Sequence, residues 1–343
     1  MVTAQEHSRI KDLLGRIVSG TRRVCVMGSA NVDYTVTTEE LPLPGQTVNG
    51  GPLQILPGGK SANQAASAGR IGARVSMLGM VGQDDNADFL LRKLSEAHVD
   101  TSHMGSAPGP SGSTVITVDS HGENTIVYSA GSNAQVSPDY VQANQSVLQE
   151  AAVLGLCLES PLEAVMASAT ICHNRGIPVL LNDSPFLADL PRELIGQTDI
   201  LLVNEHELAD LLRIEPELVA VDEQVADGFG RFHDQWEQIR SSLAAFGYQT
   251  AIVTLGSHGA VVLNGSQATY IRPVHVQAVD TTGCGDSFMG TILSGIAAGL
   301  SLTDSAYLAS YVAAYAATGI GAQASYGSSQ QILNFYFPVT EKS

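Results

Sequence analysis

The chain has 343 residues, 44% of them hydrophobic and 15% charged, and its 34 acidic and 17 basic side chains leave a net charge of −17. This composition is typical of a folded protein with a large apolar core, and it excludes a disordered chain. Binding to a phosphate backbone needs clustered basic residues, and the chain has no Lys/Arg cluster longer than a pair such as Arg22 and Arg23. We therefore exclude a nucleic-acid partner.

The N-terminal region predicts a cytoplasmic protein with no membrane partner. Residues 1–20 mix both charges instead of showing a signal peptide, and no run of 18 apolar residues occurs. We interpret residues 1–22 as an N-terminal extension whose IKDLLGRIV segment forms a short amphipathic helix on the surface. The cysteines are widely spaced, which favours reduced thiols over disulfides or a zinc site: Cys25, Cys157, Cys172 and Cys284.

Short apolar runs alternate with helical segments along most of the chain. We predict strands at 23–27, 75–82, 151–158, 177–182, 199–204 and 250–256, and helices at 60–71, 84–98, 161–175, 205–213 and 233–246. A strand pair (259–264 and 268–272) and two helices (285–299 and 302–318) follow. Near-continuous apolar strands with helical crossovers predict an α/β fold in three layers, α/β/α, with a mostly parallel central sheet.

Two regions do not follow this alternation of apolar strands and helices. Residues 33–55 and 112–128 have the pattern of turn-rich strands with one polar side, too polar for the central sheet. We expect them to form a small antiparallel β lid on one large domain that spans residues 23–340.

Polar residues close five of the predicted strands: Asn31 and Asp33, Glu159, Asn182 and Asp183, Asn204, and Thr254. Ligands of an open parallel sheet bind at the carboxyl ends of its strands. Each of these residues alone is equally explained as a turn or helix-capping residue. Together they suit a polyhydroxylated ligand such as a sugar.

The first glycine-rich segment, 57–61, opens a helix of small residues. It fails the P-loop pattern because Gln54 stands where that motif needs its first glycine, and the Gly-Ser-Ala-Asn after the first strand is not a dinucleotide-binding GxGxxG. Gly58 and Gly59 would let the backbone approach a substrate closely, with Asn63 one turn into the helix. The alternative is a helix-start turn with nothing bound.

The second glycine-rich segment, 280–287, precedes a helix with an apolar face. Gly283 and Gly285 leave backbone N–H groups at the positive end of the helix dipole, which predicts an anion hole. With Mg²⁺, such a hole lets an acidic chain bind a small polyanion. Asp286 is explained either as a helix cap or as a general base that deprotonates an alcohol beside a bound phosphoryl group, and we favour the base.

These segments resemble the ribokinase-like (PfkB) carbohydrate kinase family from about residue 23 to about residue 330. The resemblance rests on blocks in the family's order: GSANVD, PLPGQTV, GGKSANQAASAGRIGA, LESPLEAVMASA, VNEHELADLL, TLGSHG, VQAVDTTGCGDSF and GAQAS. It implies an ATP-dependent carbohydrate kinase that phosphorylates a primary hydroxyl, with D-ribose to D-ribose 5-phosphate as the expected reaction. It also implies a homodimer formed through the β lid.

The resemblance assigns roles to individual residues. For sugar binding these are Asn31, Asp33, Gly58, Gly59, Lys60, Asn63, Glu159 and Asp286, and for catalysis Asp286 with the backbone of Gly283, Cys284 and Gly285. The nucleotide would lie against Asn204, Thr254, Gly256, Gly259 and Gly285, with Mg²⁺ organised indirectly by Glu207. A monovalent cation, usually K⁺, would bind at Asp280, Thr282, Gly321 and Ser325.

The chain departs from the family pattern at three places. Asp183 and Ser184 replace the usual Pro-Ala, Ser61 replaces a glycine, and Gly319 or Ile320 replaces an Arg or Lys. A nucleoside kinase or another pentose or hexose kinase remains an alternative, although no aromatic residue stands next to Asn31, Asn63 or Glu159 in the sequence to stack on a base. A non-catalytic sugar-binding protein on the same fold is a further alternative.

Overall fold

The computed structural model describes residues 3–219 and 231–338. Residues 1–2 of the predicted extension, and residues 220–230 and 339–340 of the predicted domain, lie outside the described residues. The strands are β1 Arg23–Met27, β2 Asn31–Thr37, β3 Gln54–Gly58, β4 Arg74–Val81, β5 Val99–Asp100, β6 Met104–Ser106, β7 Gly112–Val118, β8 Asn124–Ser129, β9 Ala151–Leu156, β10 Val179–Asn182, β11 Ile200–Asn204, β12 Thr250–Thr254, β13 Ala260–Asn264 and β14 Gln267–Ile271.

The α-helices of the described ranges are α1 Ala4–Ser19, α2 Lys60–Arg70, α3 Asp85–Glu96, α4 Pro138–Ala143, α5 Gln145–Gln149, α6 Leu162–His173, α7 Arg192–Gly196, α8 Glu205–Leu212, α9 Arg231–Phe246, α10 Cys284–Ala297, α11 Leu302–Ala316, α12 Ala322–Ser325 and α13 Ser329–Tyr336. Each predicted strand and helix of the α/β body is present, with bounds that differ by at most two residues. The sequence does not predict the short elements β5, β6, α4, α5, α7 and α12, or α13, because so few residues establish no clear apolar period.

Ten of the described strands form the central sheet, in the order β14-β13-β12-β11-β10-β9-β1-β4-β5 with β6 beside the end of β4. Neighbours from β12 to β5 run parallel, and β13 and β14 add an antiparallel hairpin at one edge. Alternate residues of β1 enter opposite clusters: Val24 and Val26 pack with α2 and α10, and Cys25 and Met27 pack with α6. Helices therefore cover both faces, which confirms the predicted α/β/α layers.

A separate sheet of four described strands, in the order β3-β2-β7-β8, confirms the predicted small sheet. Its outer pairs, β2–β3 and β7–β8, are antiparallel as expected. The middle pair differs from the prediction, because β2 and β7 run parallel, with Asn31 opposite Gly112 and Thr37 opposite Val118. A parallel pair needs a long crossover, which the chain from β3 to β6 supplies, and local turn signals do not reveal it.

Helix α1 is longer than the predicted IKDLLGRIV segment. The sequence predicts a helix on the surface, but one side of α1 is buried. Ile10, Leu13, Leu14 and Ile17 recur at helical spacing, are at most 3% exposed, and pack with α11 and α13. The amphipathic pattern was thus sufficient to predict the helix, but the apolar surface that receives it comes from the far end of the chain. No helix in the described ranges is long and apolar enough to cross a membrane.

Candidate active site

A cavity of about 150 Å³ lies at the carboxyl ends of β10, β11 and β12, beside the start of α10. Its lining comes from these elements and from the start of α2 and of α8: Lys60, Asn182, Ser184, Leu202, Val203, Asn204, Glu207, Thr254, Gly283, Gly285 and Asp286. This is the edge of the sheet at which a ligand was expected. The cavity therefore brings together Asp286, Gly283 and Gly285 of the predicted catalytic group with part of the predicted nucleotide site, while Cys284 is not among the lining residues.

Asp286 is buried and held by two side-chain amides from α2. Asn63 Nδ2 donates to Asp286 Oδ2 at 2.9 Å, and Gln64 Nε2 donates to Oδ1 at 3.2 Å. Burial raises the pKa of Asp286 to about 6, although Lys60 and the two amides oppose the rise. A carboxylate with such a pKa is ionised at neutral pH and still basic enough to accept a proton.

Close packing of α10 on α2 makes these hydrogen bonds possible. Gly290 faces α2 so closely that a Cβ atom built there would lie 2.4 Å from the Gln64 carbonyl oxygen. Ser67 on α2 donates to the Ser287 carbonyl at 3.2 Å. The small residues that make α2 look like a simple packing helix therefore also set the distance between Asp286 and its amide partners.

Lys60, which the resemblance assigns to sugar binding, lies in the same cavity as the predicted catalytic residues and contributes a positive charge there. Its side chain lines the same cavity as Gly283, Gly285 and Asp286. Burial disfavours the charged ammonium, but the carboxylates of Asp286 and Glu159 outweigh that effect and raise the pKa of Lys60 above its ordinary value. Lys60 is therefore a cation at neutral pH, beside the predicted anion hole.

The predicted sugar residues meet where β2 pairs with β3. A Cβ atom on Gly58 would lie 2.0 Å from Asp33 Oδ2, and one on Gly59, which has φ +90°, would lie 2.9 Å from the Asn31 nitrogen. The two glycines thus make room for the chain's own polar residues. Glu159 Oε2 accepts a hydrogen bond from the Lys60 backbone nitrogen at 3.0 Å, which links this group to the cavity.

Burial also raises the pKa of Asp33 to about 6, with the carboxylates of Glu159 and Asp286 adding to the rise and a hydrogen bond from Thr114 opposing it. Asp33 and Asp286 therefore lie close enough for their charges to repel each other, although they belong to different elements.

Asn133 is a site residue that the sequence analysis missed. It is fully buried, its Nδ2 donates to Asn31 Oδ1 at 2.7 Å, and its Oδ1 accepts from the Ala30 nitrogen at 3.0 Å. Because Asn133 occupies the Asn31 oxygen, the Asn31 amide nitrogen remains as a donor. Asn133 stands in a Gly-Ser-Asn turn that reads as an ordinary turn, so no sequence signal distinguished it.

Glu159 has no aromatic neighbour in the sequence, but the fold brings Tyr128 on β8 into contact with it. The Tyr128 hydroxyl donates to the Glu159 carbonyl at 3.3 Å. The two residues are 31 positions apart in the chain, so only the folding of the small sheet brings them together. The lack of an aromatic neighbour therefore no longer argues against a nucleoside.

The predicted nucleotide residues divide into two groups. Asn204 and Glu207 form a capping box at the start of α8, in which the Asn204 nitrogen donates to Glu207 Oε2 at 2.8 Å, and both line the cavity with Thr254. Gly256 and Gly259 lie in the turn after β12 and are not among the residues that line it. The spacing of Asn204 and Glu207 is thus explained by the capping box at the start of α8, and both residues also line the cavity.

The predicted cation residues lie in the loop before α10 and at the two ends of α12, and Asp280 links the two segments. Its carboxylate accepts from the Thr282 nitrogen at 2.9 Å and from the Gly321 nitrogen at 2.8 Å. Ser325 Oγ donates to the Ala322 carbonyl. Within the described ranges no cluster of three or more His, Cys, Asp or Glu side chains could hold a metal ion.

Gly283 starts α10 with φ +75°, and Tyr326 Oη donates to its carbonyl at 2.8 Å. Burial raises the pKa of the neighbouring Cys284 thiol to about 11, with nearby carboxylates adding to the rise, so this thiol is protonated at neutral pH. Cys284 therefore has no thiolate to act as a nucleophile. The other three cysteines are free and buried.

Two of the departures from the family pattern have structural explanations. The Ser61 hydroxyl points into the core, 3.1 Å from Cys157 Sγ. Asp183 is buried, and its Oδ1 accepts from the Leu187 nitrogen at 3.2 Å. Neither Ser61 nor Asp183 lines the cavity, whereas Ser184, the other residue of the second departure, does.

Comparison with known proteins identifies the family. A sequence model of the pfkB family carbohydrate kinases matches residues 21–328. The chain belongs to this family. This pfkB kinase is 31% identical over 317 residues to the ribokinase of Haemophilus influenzae. The aligned region covers 92% of this chain and 98% of that protein. It is also 31% identical over 322 residues to the deoxyribokinase of Salmonella typhi, which covers 93% of this chain and 99% of the relative.

Solved structures agree with the sequence comparison. The structure of Arabidopsis thaliana ribokinase complexed with ribose and ATP matches this pfkB kinase with a TM-score of 0.81 and 27% identity, over 91% of this chain and 98% of that one. The protein is an ATP-dependent sugar kinase with the fold of this family. Its helix α1 precedes the matched region and is nevertheless part of the packed core.

Proposed function

We propose that the protein transfers the γ-phosphoryl group of ATP to the primary hydroxyl of D-ribose, giving D-ribose 5-phosphate, with Asp286 as the general base. The observation that carries this proposal is the buried Asp286 carboxylate in one cavity with Gly283, Gly285 and Lys60. The hydroxyl oxygen forms a bond to the γ-phosphorus, the bond to the bridging oxygen of ADP breaks, and the hydroxyl proton passes to Asp286. Each carboxylate oxygen receives one amide hydrogen bond and keeps a lone-pair site for that proton.

Charge stabilisation would come from the backbone N–H groups of Gly283, Cys284 and Gly285 and from the Lys60 ammonium. Donors that are already in place when negative charge develops on the transferred group stabilise the transition state without reorganisation. The burial of Lys60 supports this role because its charge is less screened by water than a surface charge.

The sugar would be bound by the polar groups at the β2–β3 pair. Asn31 would donate through the amide nitrogen that Asn133 leaves free, and Asp33 and Glu159 would accept from sugar hydroxyls. Asn63 would accept through the second lone pair of its Oδ1, because Gln323 donates to the first. The backbone of Gly58 and Gly59 would border the ring. The chain has relatives named ribokinase and deoxyribokinase. The two sugars in these names differ by one hydroxyl group, so 2-deoxyribose is the second candidate substrate.

The nucleotide phosphates would lie along Asn204, Thr254 and the start of α10, with Gly256 and Gly259 bordering the rest of the nucleotide. Mg²⁺ bound near Glu207 would neutralise phosphate charge, and the carboxylate and amide oxygens of Glu207 and Asn204 are ligand types that suit it. K⁺ would be held by Asp280, Thr282, Gly321 and Ser325, mainly through carbonyl oxygens.

We also propose that the small sheet forms a homodimer. Ile55, Tyr34, Val115 and Val127 are consecutive cross-strand neighbours on one face. Of these, Ile55 is 50% exposed, Val115 53% and Val127 67%. A second copy of the chain would cover this apolar row. Light scattering should give a dimer mass for the wild type and a monomer mass for Val127→Glu, with Ser120→Glu in the hairpin turn as control. A monomeric wild type would overturn the proposal.

The base assignment is tested by Asp286→Asn. General-base catalysis contributes on the order of 10² to 10⁴-fold, so kcat should fall by at least about 10²-fold. Ribose binding measured by calorimetry should persist. Asp88→Asn, an exposed aspartate on α3, is the matched control. Near-normal turnover of Asp286→Asn contradicts the assignment.

The substrate is tested by ADP release over a panel of ribose, deoxyribose, fructose, ribitol and nucleosides, with and without potassium. We expect the highest kcat/KM for ribose. A higher value for a nucleoside or for 2-deoxyribose would make the ribose assignment wrong while leaving the kinase assignment intact.

A further inference from the structure

Gln323 on α12 is linked to Asp286 by hydrogen bonds through Asn63. Gln323 is only 3% exposed, and its Nε2 donates to Asn63 Oδ1 at 3.0 Å. Asn63 in turn donates from Nδ2 to Asp286 Oδ2 at 2.9 Å. The three residues belong to three different helices, and Gln323 and Asn63 are 260 positions apart in the chain.

The direction of the Asn63 amide is set by these two contacts. An asparagine side chain has one accepting and one donating end. The donor of Gln323 faces the Asn63 oxygen, so the Asn63 nitrogen faces the carboxylate. If the amide turned over, its oxygen would face Asp286 and its nitrogen would face the nitrogen of Gln323, and both contacts would become repulsive.

We infer that Gln323 is a positioning residue for phosphoryl transfer: it holds Asn63 with its amide nitrogen toward Asp286, and so fixes the orientation of the base. This inference rests on the proposed function of Asp286. Gln323 contacts neither the base nor the predicted substrates directly, and it acts through Asn63 alone.

Gln64 does not replace this support. It donates to the other carboxylate oxygen at 3.2 Å, and its own Oε1 is buried without a partner in the described residues. The Gln64 amide therefore has a described partner at its nitrogen only, whereas the Asn63 amide has one at each end. Two partners hold an amide in one orientation more firmly than one partner does.

Substituting Gln323 leaves the charged and titratable groups around Asp286 in place. These groups are Lys60, Glu159, Asp33, Cys284 and Tyr326. A change in the protonation of Asp286 on substitution of Gln323 would thus come from the Asn63 hydrogen bond, which stabilises the ionised form.

The test is Gln323→Met, which keeps the side-chain length and removes the donor. We expect kcat to fall by about 10-fold and the acid limb of the kcat–pH profile to move up by about one unit, as for loss of a hydrogen bond to a charged group. KM for ATP should stay unchanged, because the nucleotide side of the cavity is not touched. Gln323→Leu, which also lacks a donor and adds no charge near Asp286, should show the same changes and serves if the Met variant folds poorly.

A double-mutant cycle separates positioning from general packing. On an Asn63→Ala background, Gln323→Met should have no further effect on kcat, because the residue through which Gln323 acts is gone. Multiplicative losses, or a Gln323→Met enzyme with normal kcat and pH profile, would overturn the inference. Asp286→Asn is measured alongside. If it is active, the proposed base fails, whereas an inactive Asp286→Asn with a normal Gln323→Met rejects only the role of Gln323.

Discussion

Two aspartates buried at the same edge of the sheet have contrasting surroundings. Asp286 at the start of α10 lines the cavity and receives hydrogen bonds from Asn63 and Gln64. Asp183 after β10 accepts only from the Leu187 nitrogen, and its Oδ2 is buried without a partner in the described residues. Burial raises the pKa of both to about 6. A raised pKa alone therefore does not distinguish the proposed base from Asp183, and the difference between them lies in their hydrogen-bond partners and in access to the cavity.

Lys60 faces Asp286, so removing its charge gives the largest expected effect. Lys60→Met should lower kcat by at least about 10²-fold, the usual loss when a preorganised transition-state donor is removed. It should also raise the pKa of Asp286, because Lys60 lowers that pKa in the wild type. Steady-state ADP release as a function of pH measures both. Lys93→Met on α3 is the control. Equal losses of kcat in the two variants would mean that the Lys60 charge has no specific role in catalysis.

Separating α10 from α2 should affect Asp286 and leave Asp183 unaltered. In Gly290→Ala the new Cβ would meet the Gln64 carbonyl, so the helices must move apart. We expect a loss of about 1–3 kcal/mol in the free energy of unfolding from overpacking. The accompanying shift of Asp286 from its amides should lower kcat by about 10-fold. Gly15→Ala on α1 has open space at the Cβ position and should be neutral or stabilising in the same denaturation and kinetic measurements.

The pH dependence of kcat should report Asp286 and not Asp183. With a pKa of about 6, Asp286 becomes protonated as pH falls and can no longer accept the hydroxyl proton. We expect kcat to fall below about pH 6, approaching tenfold per pH unit. Asp183→Asn should keep the same profile. A limb that moves in Asp183→Asn would show that the two carboxyls have been assigned the wrong way round.

The ionised carboxylate of Asp183 should lower the free energy of unfolding at neutral pH, and this is the smallest of the expected effects. Its pKa in the fold, about 6, is above the unfolded value of 3.8, so the folded state binds the proton more tightly and loses stability as pH rises through 6. Asp183→Asn keeps an acceptor for Leu187 and should be about 1 kcal/mol more stable than wild type at pH 8, after allowance for solvent screening. Urea denaturation should show that this gain shrinks at pH 5.5. A loss of stability at pH 8 would contradict this account.

Local patterns in the sequence predicted much of the fold and part of the site. Apolar runs and helical spacing predicted the strands and helices of the body within two residues, because burial on one or both faces imposes its period on the chain. The glycines before α10 predicted the turn that places Asp286 at a helix start beside backbone N–H groups. The same spacing logic missed the parallel β2–β7 pairing, whose crossover has no local signature.

The residues that support the site were harder to predict. Asn133 and Gln323 are ordinary polar residues in a turn and a short helix, and each matters because of one distant partner, Asn31 and Asn63 respectively. Tyr128 reaches Glu159 only through the small sheet. No periodicity, spacing or composition records such contacts, since their hydrogen bonds join segments whose sequences are independent of one another.

The sequence by itself determined the family, the order of the elements and the candidate base, because each of these depends on residues that are neighbours in the chain. The tertiary structure alone decided which amides hold Asp286, that Lys60 shares a cavity with Gly283 and Asp286, and that α1 is part of the core. The physical reason is the same in each case. Burial and hydrogen bonding act between atoms a few ångströms apart, and in this protein those atoms come from opposite ends of the chain.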